Sequence, residues 1–307
     1  MKGLEEARRF YEDFGRDLLH RQFPDFEDRI AVGLVGRGSE CFGFDDDVSR
    51  DHDMEQGFCL WLTDEDDILI GEELAKAYRA LPKRGAAQHS ALGESNRGPR
   101  RIGFFYRRYL GSDSAPRDWR QWLSLPSWAL AEATNGQVFR DDLGEFTSIR
   151  ETLLHGMPED VRKKKLAARL IAMAQSGQYN YARCLRHGEE GAAMLALSEF
   201  VREAMGAIYL LNRAHMPYYK WALRGMAKLP LLSDMREPLE FLLTAENDAD
   251  GRRVKQAVVE DICASVIRVL REQDLTDVSS DFLEPHAFAV QDRIGNPGIR
   301  VLHVMEG

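Results

Sequence analysis

The hydrophobic period of this chain changes once, near residue 150, and that change restricts the available folds more than any other feature. Ahead of it, helical spacing alternates with short apolar runs. Apolar residues at Leu4, Ala7, Phe10, Tyr11, Phe14 and Leu18 predict an amphipathic helix over 4–20, ended by Pro24. The run Ile30 to Val35, bounded by Gly36 and Gly38, predicts a buried strand that delivers the chain into a tight turn. A strand over 58–62 follows, then a helix over 71–81 and a Gly, Ser and Asn-rich loop over 89–99. A strand over 102–106, a helix over 119–134 and a strand over 136–140 complete an alternation of the α/β kind. Beyond residue 150 helical spacing dominates, over 159–176, 178–187, 191–213, 217–229, 235–246 and 252–273. The chain of 307 residues is long enough for about two domains. The expected class is α+β: a mixed β-sheet domain with helices over 1–150, then a helical bundle over 151–307 that ends in a tail from 282.

Charge narrows the function. With 50 acids against 41 bases the net charge is −9, which disfavours nucleic-acid binding by general phosphate attraction and leaves room for local basic patches. The acids concentrate early: from Arg37 to Asp67 eleven carboxylates accompany two arginines, a cluster that repels itself unless cations or solvent relieve it. No apolar run reaches the ~18 to 20 residues of a bilayer span, and the N-terminal stretch mixes acids with bases, so the expected location is the cytoplasm. Cys41, Cys59, Cys184 and Cys263 are widely spaced, with neither zinc nor disulfide-framework spacing, and read as buried or incidental thiols.

Within the acidic stretch three parts point to phosphate chemistry. Gly38 and Ser39 close a strand-to-helix turn where backbone N–H groups and a hydroxyl can approach a phosphate. Asp51 and Asp53 sit two apart, so in extended backbone both carboxylates project to one face and can share a pair of cations. Oxygen ligands favour Mg2+ or Mn2+ over zinc. Two such metals suit in-line displacement at a phosphoryl group. Asp45 to Asp47 read as a solvated or capping run, Asp64 to Asp67 as a loop, His52 as structural, and Arg162 to Lys165 as a solvated helical face.

Gly38-Ser39, eleven residues, then Asp51-x-Asp53 resembles the signature of the nucleotidyltransferase superfamily that includes DNA polymerase beta and the kanamycin and lincosamide nucleotidyltransferases. Over more of its length the chain resembles a bacterial family of domains of unknown function with this fold. That resemblance rests on Gly38-Ser39 with Ser49 to Asp53, Gly136 to Asp141, Pro217 to Trp221 and Leu302 to Met305. It implies an N-terminal mixed sheet carrying the metal site and a C-terminal helical bundle. Arg50 stands where small nucleotidyltransferases run Ser directly into the acids, and is assigned to the triphosphate. Superfamily members add a third carboxylate from a later strand, which the 102–106 run lacks; Asp141 or Asp142 is the expected substitute, as metal ligand and general base.

The expected activity is metal-dependent transfer of a nucleoside monophosphate from an NTP to a hydroxyl-type acceptor, with release of pyrophosphate. Asp51, Asp53 and Asp141 would hold metal, while Gly38, Ser39, Arg50, Arg183, Arg186 and Lys220 would contact the nucleotide. The acidic balance favours a small-molecule acceptor over tRNA or protein, and no membrane partner is expected. The competing class is a nucleotide-binding regulator with a degenerate catalytic site.

Overall fold

A computed structural model describes residues 2–46, 56–82 and 97–307 of the chain. The chain divides into two compact units: Met1–Arg117 with Ala129–Gly156, and Asp118–Trp128 with Met157–Gly307. The division therefore falls at 156 rather than 150, and an eleven-residue segment from within the first 150 belongs to the second unit. No described helix is long and apolar enough to cross a membrane.

The first unit is built on a four-stranded mixed sheet of β1 (Ala31–Leu34), β2 (Cys59–Leu62), β3 (Gly98–Arg101) and β4 (Gln137–Arg140), ordered β3-β2-β1-β4. β1 runs antiparallel to both neighbours, with Val32 opposite Leu60 and Leu34 opposite Gln137, and β2 runs parallel to β3. Period-two alternation divides β2 between two cores. Leu60 and Leu62 join Phe10, Leu19, Val32, Ile70 and Leu74 on one face. On the other, Trp61 stacks on Phe146 with ring centroids 3.9 Å apart, and Phe105 meets both rings. Burial on both faces accounts for the unbroken apolar run at 58–62.

Three elements differ from the sequence expectation. The expected strand over 102–106 is the helix Ile102–Leu110, and the strand lies just ahead of it at Gly98–Arg101. Ile102, Phe105, Tyr106 and Tyr109 are its buried residues, which is helical spacing once Tyr109 is included, and Gly111 ends the helix in the left-handed region at φ 69°. Pro99 is accommodated because β3 is an edge strand. The helix expected over 71–81 is Asp64–Arg79, so Asp64 to Asp67 form its first turn rather than a loop. Thr63 caps it by accepting from the Asp66 N–H at 3.1 Å, and four acids at the N-terminus face the positive end of the helix dipole. The helix expected over 119–134 breaks into Trp119–Ser124 and Ser127–Thr134, because Pro126 holds Leu125 extended.

In the second unit the helices expected over 159–176 and 178–187 are one continuous helical run. It comprises Glu159–Met173, a π-helical stretch Ala174–Tyr181 and Ala182–Arg186. Gly177 in that stretch lies so close to the Phe200 ring that a Cβ would come within 2.2 Å of it. Glu190–Leu211, Tyr219–Met226, Arg236–Thr244 and Ala249–Glu272 follow, and the tail contains the helices Leu283–Asp292 and Pro297–Arg300. Their shared core includes Leu170, Tyr181, Phe200, Ile208, Leu242 and Val266.

The basic run at the start of this unit is structural rather than a solvated face. Lys163 Nζ donates to the Arg293 carbonyl at 2.8 Å, and Lys165 Nζ to the Leu123 and Leu125 carbonyls at 2.7 and 3.0 Å. Lys164, fully buried, donates to Gln291 Oε1 at 2.8 Å and to the Leu302 and His303 carbonyls at 3.3 and 2.5 Å. It thereby fastens the C-terminal tail.

Lys164→Met is expected to strand these acceptors, costing about 2–3 kcal/mol and speeding hydrogen exchange over residues 299–307. Burial pushes the Lys164 amine down to about 8 from the ordinary 10.5. The unfolded chain therefore holds more protons than the folded one between those values, and this site's contribution to stability rises with pH across that window. Thermal melts from pH 7.5 to 10 should show the rise in the wild type and its absence in Lys164→Met.

Candidate functional site

β1 delivers the chain into the turn that the sequence singles out. Gly36 exchanges two 2.7 Å hydrogen bonds with the Asn135 side chain, its N–H donating to Oδ1 and its carbonyl accepting from Nδ2. The Gly136 N–H donates to the Cys41 carbonyl at 2.8 Å. Gly136 admits this approach because it has no Cβ, which would stand 1.9 Å from the Leu34 carbonyl oxygen. Gly38 precedes the one-turn helix Ser39–Phe42 with φ 126°, a conformation that requires glycine. A Cβ on Gly38 would also meet both Glu40 carboxylate oxygens at 2.5 Å.

Glu40 is held by an ion pair that nothing local in the sequence announces. Arg97 Nη2 lies 3.0 Å from Glu40 Oε1, with both side chains 8% exposed. Arg97 immediately precedes β3, which starts at the same end of the sheet because Gly98 pairs with Cys59 and Cys59 with Gly33. Beside the pair, burial together with the Glu40 carboxylate pushes the Cys41 thiol well above its ordinary range. Cys41 is therefore a protonated thiol rather than a thiolate nucleophile. Glu40, Arg97 and Asn135 are the site residues that sequence reasoning missed. Of these only Asn135, followed by Gly136, carries a local signal, and it is a turn signal.

Asp51 and Asp53, with Arg50, lie outside the described residues. The last acids before them are described: Asp45 Oδ2 accepts from the Gly3 N–H at 2.9 Å, while Oδ1 is buried without a hydrogen-bond partner among the described residues. Among the described residues no group of three or more His, Cys, Asp or Glu side chains is arranged to hold a metal.

The structure does not bring Asp141 or Asp142 to the Gly38 turn. β4 runs away from it, with Gln137 opposite Leu34 and Arg140 opposite Val32, so Asp141 leaves the sheet at the opposite end. There Asp141 caps the helix Glu145–His155, its Oδ1 accepting from the Gly144 N–H at 3.0 Å and its Oδ2 from the Thr147 N–H at 2.7 Å. Asp142 pairs with Arg140, which also binds Glu27 at 2.8 Å and Asp28 at 2.5 Å. Both acids therefore make structural contacts at the end of the sheet away from the Gly38 turn.

Arg183, Arg186 and Lys220 belong to the second unit and are exposed. Arg183 Nη1 donates to the Tyr179 hydroxyl at 2.8 Å, and Lys220 Nζ stands 4.9 Å from the Trp221 ring centre.

Residues 122–222 match a family model described as Domain of unknown function (DUF4037). The match takes in β4, Asp141, Asp142, Arg183, Arg186 and Lys220, and starts beyond the Gly38 turn and the acid pair. No curated protein and no solved structure matches the chain.

Two outcomes test these structural roles. Asp141→Ala should cost about 1–2 kcal/mol in thermal melts, the loss of a helix cap. Arg97→Met should cost about 3–5 kcal/mol by stranding the buried Glu40 carboxylate, and a second change, Glu40→Gln, should recover part of it in thermal melts.

Proposed function

We propose that the protein is a metal-dependent nucleotidyltransferase. The observation that carries this reading is the Gly38–Ser39 turn at the end of β1. It is glycine-dependent and opens a connection that bears Asp51 and Asp53 before returning into the neighbouring antiparallel strand β2. A strand, a glycine-dependent turn and a carboxylate pair in one connection form a combination suited to metal-assisted phosphoryl transfer. The resemblance of these motifs to the nucleotidyltransferase superfamily supports the same reading.

In this mechanism the backbone N–H groups of Gly38 and Ser39 and the Ser39 hydroxyl bind the triphosphate, joined by Arg50. Asp51 and Asp53 would hold Mg2+ or Mn2+, which would supply charge neutralisation for in-line displacement. The bond from the α-phosphorus to pyrophosphate breaks as the bond to the acceptor oxygen forms. The acceptor proton passes to solvent or to one of the paired carboxylates. The acidic balance of the chain favours a small cationic acceptor.

A second reading is favoured by one observation: β3 carries Gly98-Pro99-Arg100-Arg101 with no carboxylate, and Asp141 is committed to a helix cap. Such a protein binds nucleotide and metal as a regulator without turnover.

Calorimetric titration of each NTP with magnesium against the wild type and an Asp51→Asn/Asp53→Asn variant tests the site. The expected result is magnesium-dependent binding that the double variant weakens by at least about tenfold. Binding of no NTP, or binding indifferent to both substitutions, overturns the reading. Pyrophosphate release in the presence of acceptor then separates the transferase from the regulator.

A further inference from the structure

Tyr218 and Tyr219 open the helix Tyr219–Met226 with ring centroids 4.4 Å apart and planes inclined at 45°. Both rings face solvent, Tyr219 being 69% exposed and Tyr218 43%. Other large apolar side chains are exposed as well, Ile68, Leu195 and Tyr179 among them, so exposure alone does not distinguish the pair; the adjoining cations do. Next to it, Lys220 and Arg224 occupy positions i and i+4 and both approach the Trp221 ring, at 4.9 and 5.9 Å. The indole thereby holds two cations on one flank of the helix, beside the tyrosines.

The surrounding sequence has a charge pattern opposite to that of the whole chain. Although acids outnumber bases by 9 overall, no Asp or Glu occurs from Ala204 to Ser233, while Arg213, Lys220, Arg224 and Lys228 do. Arg213 pairs with Glu159 at 2.7 Å, and Lys220 and Arg224 are the cations beside the tyrosines. Flat aromatic faces that accept any base, with cations spaced alongside for phosphate, are the two elements of a single-strand binding platform. A duplex offers no free base faces to such a ledge.

We propose that this tyrosine ledge binds a single-stranded polynucleotide, its bases stacking on Tyr219 and Tyr218 and its phosphates passing Lys220 and Arg224. This binding does not rest on the transferase reading, since the ledge needs neither NTP nor metal.

Fluorescence anisotropy of a labelled twelve-residue oligoadenylate, measured with full-length protein in EDTA and without NTP, provides the test. The wild type is expected to bind at low salt, and Tyr219→Ala to weaken binding about fivefold or more, as for loss of one stacked base. Tyr219→Trp is expected to retain binding. Lys220→Ala with Arg224→Ala should reduce the slope of log affinity against log salt by about 1.4, or about 0.7 for each phosphate whose charge is no longer neutralised. Circular dichroism checks that the variants remain folded. The proposal is overturned if the wild type does not bind, if Tyr219→Ala binds equally well, or if a duplex or free AMP competes as effectively as the oligonucleotide. Because Asp51→Asn/Asp53→Asn leaves the ledge intact, loss of nucleotide binding there and loss of strand binding here are separate results.

Discussion

β1 is four residues long, entirely buried, and has a neighbour on each side. Because β2 and β4 both run antiparallel to it, the end of β1 and the starts of its two partners gather at one end of the sheet. The close approaches around the Gly38 turn follow from that arrangement. Asn135 reaches Gly36 because it stands just ahead of β4, and Arg97 reaches Glu40 because it stands just ahead of β3. A slip of one residue in either pairing would turn Val32 out of the core and separate these partners.

The parts of this arrangement that are legible in the sequence are those written in local apolar patterning. β1, β2 and β4 fall within the runs at 30–35, 58–62 and 136–140; full burial leaves an uninterrupted apolar mark at the first two, and Val138-Phe139 after Gly136 marks the third. β3 escapes such a reading because a polar edge strand has no such mark, whereas the aromatic run after it does. Asp64 to Asp67 mislead for the opposite reason. Acids suit a loop and the first turn of a helix equally well, and only the Thr63 cap and the pairing of buried Asp66 with Arg29 decide between them. At the site, the turn glycine is readable from its neighbours. Glu40 and Arg97 are not, because an ion pair bridging 57 positions has no local period.

The charges show a related limit. Arg162 to Lys165 look like a solvated or nucleic-acid-facing run, yet each of the four donates to a backbone carbonyl within its own unit. Long aliphatic stems let these groups cross apolar surface and deliver a donor to carbonyls left over at helix ends and in loops. By contrast, the cations around Trp221 lie on a helix flank at the surface, and they are fewer and less conspicuous in the sequence. A census of charge therefore says less about binding than the identity of what each charge touches.

The interleaving of the two units has a consequence for synthesis. The chain leaves the first unit at Arg117, contributes Asp118–Trp128 to the second, returns at Ala129 and departs again at Gly156. β4 starts at residue 137, whereas β1 ends at residue 34. At typical elongation rates, a nascent β1 waits on the order of 5–20 s for its second partner, with one ladder of N–H and C=O groups unpaired meanwhile. During that interval a strand destined for full burial is also an open edge. Neither unit can be released whole by a single cut, and the nascent chain depends on whatever shields that edge until β4 leaves the ribosome.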